Sequence, residues 1–143
     1  VQFKDLQMHI TEPEREIAVT HKTNVLVVGS GPAGLAAAIG AARAGTQVTL
    51  VERFGCFGGN ITVVGVEGFA WYRHPETVEA GGIGWEFEKR AKEMGAAVPE
   101  SQSLSYELDS EGFKLVADAL VGRLLSGSCL HLTRVLRPST SRI

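Results

Sequence analysis

Cysteine is scarce in this chain, and the cysteines present lack the spacing of a redox or metal motif. The 143 residues contain two, Cys56 and Cys129, and no C-x-x-C pair. Two distant cysteines are too few for a disulfide scaffold. The four histidines also show no metal-ligand spacing. We therefore expect neither a disulfide-stabilised secreted domain nor a metal site.

Strong net charge and long apolar runs are missing as well. The formal net charge is −2, so the chain has no basic footprint for nucleic acid or an anionic membrane. No apolar run reaches the ~18 residues that a membrane span needs. Residues 1–22 contain no signal-peptide core. The expectation is a cytoplasmic enzyme that binds neither nucleic acid nor membranes.

Glycine, in contrast, is abundant, and its first cluster forms a motif. Gly29, Gly31 and Gly34 fit the pattern G-x-G-x-x-G. In that pattern the first glycine permits a sharp turn, the second lets backbone approach a pyrophosphate, and the third lets a helix pack close to a sheet. An apolar run at 25–28 precedes the motif, and small residues at helical spacing follow it. This context predicts a dinucleotide-binding βαβ unit, whose helix N-terminus binds the phosphates.

An acidic residue, Glu52, ends the second predicted strand. It lies 18 residues after Gly34, at a position where a carboxylate accepts hydrogen bonds from an adenosine ribose. The same carboxylate would repel a 2′-phosphate, and the neighbouring Arg53 does not reverse that preference. The expected ligand is therefore FAD or NAD, not NADP. The alternative is a glycine-rich turn that binds nothing.

The remaining pattern predicts an α/β fold, a Rossmann-like parallel sheet built on the βαβ unit and expected to be incomplete. Periodicity predicts strands at 25–28, 47–51 and 129–136 and helices at 33–44, 83–94 and 110–125. Residues 61–64 have strand character, and 99–105 form a polar linker. Gly45 and Gly95 are expected to end helices, and Asp109 to cap one. In the second helix we expect two solvated ion pairs at i,i+4 spacing, Glu86–Arg90 and Glu88–Lys92.

From about residue 15 to 135 the chain resembles the N-terminal part of bacterial FAD-dependent oxidoreductases of the glutathione-reductase-like class, which have two dinucleotide-binding domains. The resemblance rests on the following segments: Asn24 to Leu35, Glu52-Arg53, Gly58-Gly59, Gly81-Gly82-Ile83, Phe113-Lys114 and Leu130-His131-Leu132-Thr133. It implies FAD rather than NAD, chiefly through Pro32 and Ala33 in the turn and through Gly58 and Gly59.

The resemblance also implies further contacts of this cofactor. Gly58 and Gly59 would belong to a loop that follows the pyrophosphate toward the flavin ring. Asn60 and Thr62 would supply polar contacts, unless they are ordinary polar loop residues. Val135 would be a backbone contact beside the adenine.

Two parts of such flavoproteins have no match among these 143 residues, namely a later Gly-Asp segment and a substrate domain. We therefore interpret residues 1–22 as an N-terminal arm, 23–137 as an incomplete FAD-binding domain and 138–143 as a tail of a longer enzyme. The isolated chain is expected to bind FAD weakly, to be inactive and to self-associate.

The implied function is flavin-mediated hydride or electron transfer on an unidentified small molecule, with NAD(P)H as a candidate donor and a homo-oligomeric assembly. The alternatives are an NAD-binding module of a dehydrogenase and a truncated, non-catalytic nucleotide-binding protein. The catalytic residues are unknown. Cys56 is interpreted as a small loop thiol, with a redox role as the alternative. His74, near Trp71 and Tyr72, is interpreted as a packed loop residue, with a flavin contact as the alternative.

Overall fold

The computed structural model describes residues 14, 16–19, 21–69, 76–77, 81–101, 103–125 and 130–134. Its helices and strands follow the chain in the order β1 (Val25–Val28), α1 (Pro32–Arg43), β2 (Val48–Glu52), a π-helical turn (Asn60–Val64), β3 (Gly68–Phe69), α2 (Gly82–Glu93), β4 (Ala97–Pro99), β5 (Tyr106–Leu108), α3 (Ser110–Leu125) and β6 (Leu130–Arg134).

Three parallel strands form the main sheet, in the order β1-β2-β6. Val25 is paired with Val48, and Val48 with Leu130, so the three strands are in register at their amino ends. Their carboxyl ends consequently meet at one edge of the sheet. The predicted α/β fold with a β1-α1-β2 unit is confirmed, as is the third strand within residues 130–134.

The core lies between one face of this sheet and the helices α1 and α3. Val48 and Leu50 of β2 are buried, and α1 buries Leu35 and Ile39 against them. The buried stripe of α3 completes the cluster with Phe113, Val116, Ala117 and Leu120. On the opposite face of β1 the side chains of Leu26 and Val28 are 60% and 76% exposed. This opposite face is therefore open at β1 but not at β2, where Thr49, the register partner of Leu26, is only 4% exposed.

The helix ends agree with the sequence prediction. Gly45 follows α1 with a φ of +80°, and Gly95 follows α2 with a φ of +71°. Glycine adopts this left-handed conformation without the steric cost of a Cβ. At the start of α3, the Asp109 carboxylate accepts the N–H groups of Glu111 and Gly112 at 3.2 and 3.1 Å. Glycine at a helix end and a capping aspartate can be predicted without tertiary contacts, because both depend only on residues close in the sequence.

Two segments differ from the prediction. Residues 61–64 are not a strand, because they lie in the π-helical turn, which is bounded by Gly59 (φ +58°) and Gly65 (φ +78°). Residues 99–105, expected to be a linker, connect two strands of a second, antiparallel sheet with the order β3-β5-β4. Those strands have two or three residues each, which is too short for a periodic pattern to be recognised.

The ion pairs of α2 also differ. Lys92 does pair with Glu88 at 2.5 Å, but Glu88 is fully buried instead of solvated. Glu86 pairs with Arg43 of α1 through two hydrogen bonds of 2.7 and 2.8 Å, not with Arg90. An isolated i,i+4 pair is worth only about 0.2–0.5 kcal/mol, so a two-pronged bond between helices replaces it readily. This bond raises the pKa of Arg43 and lowers that of Glu86.

The described residues form neither a membrane-spanning helix nor a metal-binding cluster. No helix in that part of the chain is long and apolar enough to cross a bilayer. Nor do three or more His, Cys, Asp or Glu side chains come together there in a way that would hold a metal ion.

Candidate functional site

A cavity of about 460 Å³ opens at the carboxyl ends of β1 and β2. Open α/β sheets bind their ligands at this edge. Five residues predicted from the sequence line the cavity: Gly29, Gly31, Glu52, Arg53 and Gly59. A larger cavity of about 600 Å³ lies beside the small antiparallel sheet and contains none of the predicted site residues. The candidate site is therefore the smaller cavity.

The turn after β1 has the conformation that its glycines predict. Gly29 has a φ of +93°, and its N–H donates to the Val51 carbonyl at 2.8 Å. A Cβ on Gly34 would lie 2.0 Å from the Gly29 carbonyl oxygen, so only glycine lets α1 begin this close to the turn. A Cβ on Gly31 would meet nothing within 4 Å. Gly31 therefore faces open space at the cavity.

The start of α1 adjoins this cavity through Gly31, which lines it. Gly31 is the N-cap residue and supplies no side-chain cap, while Pro32 occupies the first turn and has no N–H. Ala33 and Gly34 then carry N–H groups that have no partner within the helix. The first turn holds no acidic residue. A helix terminus of this kind attracts an anion such as a pyrophosphate.

Glu52 is held at the cavity wall by four hydrogen bonds. The Ser30 N–H and hydroxyl donate to Oε2 at 2.7 and 2.5 Å. The N–H groups of Arg53 and Phe54 donate to Oε1 at 2.7 and 2.8 Å. Burial by itself would raise the pKa of Glu52, but the bonds from Ser30, Phe54 and Arg53 together outweigh burial and lower the pKa. Glu52 is thus a fixed anion that is only 9% exposed.

Sequence reasoning missed four residues that line the cavity: Val28 and Val51, which it placed in the strands, and Ser30 and Phe54. Ser30 occupies an unspecified position of the glycine motif and is fully buried, and its hydroxyl was the only available signal. Phe54 is 40% exposed, and the guanidinium carbon of Arg53 lies 4.6 Å from the centre of its ring. This cation–π contact orders the two side chains that follow Glu52.

The second glycine loop packs directly on the first. The Gly58 N–H donates to the Ser30 carbonyl at 2.9 Å. A Cβ on Gly59 would lie 2.6 Å from the Cα of Gly31, which no side chain would allow. The pair Gly58-Gly59 therefore brings a second stretch of backbone to the cavity.

Asn60 and Thr62 lie in the π-helical turn beyond this loop. Asn60 is exposed, and its carbonyl accepts the Val66 N–H at 3.0 Å. Thr62 is buried, and its hydroxyl donates to the Phe57 carbonyl at 2.6 Å. Its side chain thus supports its own loop and does not line the cavity. The other candidates, Val135, His74, Trp71, Tyr72 and Cys129, lie outside the described residues.

A comparison with protein families identifies this arrangement. The sequence model of the family described as FAD dependent oxidoreductase matches residues 24–140, a span that includes both glycine loops and Glu52. The chain belongs to this family. The cofactor is therefore FAD, as the resemblance implied, whereas the glycine spacing and Glu52 by themselves left FAD and NAD open.

Individual relatives match smaller parts of the chain. Thioredoxin reductase 2 of Arabidopsis thaliana is 34% identical over 105 residues, which are 70% of this chain and 27% of that protein. The soluble pyridine nucleotide transhydrogenase of Chromohalobacter salexigens is 52% identical over 42 residues, 29% of this chain and 9% of that protein. The chain thus spans less than a third of either relative.

Among solved structures, the chain is similar to the THI4 protein of Thermovibrio ammonificans. The match has a TM-score of 0.49 and 18% identity, and it covers 78% of this chain and 38% of that one.

Proposed function

We propose that this chain is the FAD-binding part of a flavin-dependent oxidoreductase that acts on a small molecule. The observation that carries the proposal is the 2.7 Å bond from the Ser30 N–H to Glu52. This bond joins the carboxylate at the end of β2 to the turn that opens α1. An acceptor for ribose hydroxyls and a set of donors for phosphates therefore share one cavity.

The site residues of this proposal have distinct roles. Ala33 and Gly34 would bind the pyrophosphate through their N–H groups, next to Pro32. Glu52 would accept hydrogen bonds from the adenosine ribose. Small residues would keep the backbone accessible on both loops, and Arg53 would border the adenosine end. The full proposed set consists of Gly29, Gly31, Pro32, Ala33, Gly34, Glu52, Arg53, Gly58 and Gly59, with Asn60 and Val135 as additional candidates.

FAD supplies hydride and electron transfer when it is bound. The contribution of this chain is to bind and orient the cofactor. The fixed anion at Glu52 and the positive end of the α1 dipole lie at the same cavity, and they select opposite parts of an adenosine diphosphate: hydroxyl donors and phosphate oxygens. This complementarity orients the cofactor along the cavity in one direction.

The proposal extends to NAD(P)H as the electron donor, to a homo-oligomer and to a cytoplasmic location. The similarity to a pyridine nucleotide transhydrogenase over 42 residues supports the donor. The exposed Leu26 and Val28 on the open face of β1 support association, because apolar side chains grouped on a surface favour burial. The scarcity of cysteine supports the location.

Titration of the chain with FAD, followed by flavin fluorescence, tests the proposal. Glu52→Ala should weaken binding by roughly 1–3 kcal/mol, about 5- to 150-fold, because ribose donors lose a charged acceptor. Glu107→Ala is the control, since it removes an exposed carboxylate of β5 that does not line this cavity and should leave the affinity unchanged.

Three results would count against the proposal. Equal FAD affinity in Glu52→Ala and the unmodified chain would remove Glu52 from the site. Binding of NAD without FAD would favour the dehydrogenase module. A full-length parent enzyme that binds FAD but accepts electrons from no donor would be the non-catalytic alternative.

A further inference from the structure

We propose that a ribose hydroxyl of the cofactor displaces the Ser30 hydroxyl from Glu52, and that Ser30 thereby sets the affinity of the site. The inference rests on the proposed function. It assigns a role to a position that the glycine motif leaves unspecified.

The first step concerns the acceptor capacity of the carboxylate. A carboxylate has about four lone-pair positions for hydrogen bonds. Four donors of this chain already occupy Glu52, two on each oxygen. A ribose hydroxyl can therefore donate to Glu52 at full strength only if one of these donors leaves.

The second step identifies the donor that leaves. Three of the four are backbone N–H groups, those of Ser30, Arg53 and Phe54. The backbone around Ser30 is held on both sides, since the Gly29 N–H binds the Val51 carbonyl and the Ser30 carbonyl binds the Gly58 N–H. The fourth donor, the Ser30 hydroxyl, moves by rotation about one side-chain bond. The hydroxyl is thus the donor that gives way.

The third step concerns what the displacement costs. The Ser30 side chain has no solvent exposure, so water does not replace the carboxylate as its partner. A buried donor that loses a charged acceptor keeps the full desolvation penalty. Cofactor binding carries this penalty, and a residue without the hydroxyl would not. Ser30→Ala should therefore bind the adenosine half more tightly.

The experiment is a calorimetric titration of the 143-residue chain and its Ser30→Ala variant with ADP, which carries the ribose and pyrophosphate without the flavin. Ser30→Ala should bind ADP about tenfold more tightly, the equivalent of one hydrogen bond to a charged group. The same titrations with 2′-deoxy-ADP and 3′-deoxy-ADP locate the hydroxyl involved. The gain should vanish for the analogue that lacks it.

Equal or weaker ADP binding by Ser30→Ala would overturn the inference, because Ser30 would then hold the carboxylate in place for the ligand. A gain that persists with both deoxy analogues would also overturn it. If the unmodified chain bound neither ADP nor FAD, the proposed function would fall together with the inference. If Glu52→Ala loses FAD while Ser30→Ala gains nothing, only the inference falls.

Two further measurements guard against a folding defect. Ser30→Cys keeps a side chain of similar size with a much weaker donor, so it should also tighten ADP binding, and unchanged binding would contradict the inference. Carboxyl ¹³C NMR of Glu52, read without ligand, should show a raised pKa in Ser30→Ala because one donor is lost. Arg53, the cation that follows Glu52 in the sequence, is the same in both proteins. An unchanged pKa would mean that the bond from the Ser30 hydroxyl to Glu52 is absent.

Discussion

Adding a side chain should have different consequences at two glycines of the same turn, Gly31 and Gly34. Gly31 has φ −63° and ψ 174°, an extended conformation that valine also adopts, and a Cβ there meets nothing within 4 Å. A Cβ on Gly34 would lie 2.0 Å from the Gly29 carbonyl oxygen, well under the 3.0 Å that real Cβ atoms respect. We expect Gly31→Val to affect the ligand and Gly34→Ala to affect the fold.

The magnitudes follow from these distances. Gly31→Val should leave the free energy of unfolding unchanged or raise it by up to about 1 kcal/mol, because glycine is the more flexible residue in the unfolded chain. Its FAD affinity should fall by at least about tenfold, since the side chain fills the space of the pyrophosphate. Gly34→Ala should cost about 1–3 kcal/mol, since overpacking forces the backbone apart, and lower the Tm by roughly 3–10 °C.

Thermal unfolding and FAD titration of both variants give the four numbers. The reasoning on the cavity would be refuted if Gly31→Val kept full FAD affinity with an unchanged Tm. The reasoning on helix packing would be refuted if Gly34→Ala unfolded at the temperature of the unmodified chain. Gly122→Ala is a control for the loss of a glycine, because it lies in α3 with nothing within 4 Å of its Cβ.

Two other predictions concern single side chains, Glu52 of the cavity and Cys56 of the second glycine loop. Because the pKa of Glu52 is lowered on folding, its stabilising effect is complete above about pH 4.3, the ordinary value of glutamate, and declines as the pH falls through the folded pKa. Between pH 6 and 3, the free energy of unfolding measured with urea should fall less for Glu52→Gln than for the unmodified chain. An identical fall in both proteins would contradict this. Cys56 is half-buried, 3.8 Å from the Thr62 hydroxyl, so Cys56→Ser should keep FAD affinity within about twofold. Loss of FAD on that change would make the thiol part of the site.

The features that the sequence predicted well depend on neighbours along the chain. The φ above zero at Gly29 and Gly45 follows from turn and helix-end sterics. The cap at Asp109 needs only the two residues that follow it by two and three positions. The strands β1 and β2 are recognisable because the βαβ unit places an apolar run before and after a segment of helical periodicity. Together these patterns extend over enough residues to be identified.

The features that were missed depend on contacts between distant elements. Glu86 pairs with Arg43 instead of Arg90 because α1 and α2 lie side by side. The spacing of residues within α2 does not indicate which helix lies next to it. The small antiparallel sheet joins residues 68–69 to 106–108 through strands that are too short to show alternation. In both cases a tertiary contact overrides a weak local preference.

Ser30 lies between these two groups, because the information that places it was present in the sequence but spread over two motifs. Val28 and Val51 are paired in the sheet, so the next residues, Gly29 and Glu52, are level at the strand ends. Ser30 then follows at the point where the glycine turn bends the chain, 22 residues before the carboxylate that it binds. Parallel pairing of β1 with β2 was predicted from the βαβ unit alone. That pairing was therefore sufficient to bring Ser30, the unspecified motif position, next to Glu52, the predicted ribose acceptor. A residue with a hydroxyl group at this position indicates a hydrogen-bond donor for the carboxylate before any cofactor binds.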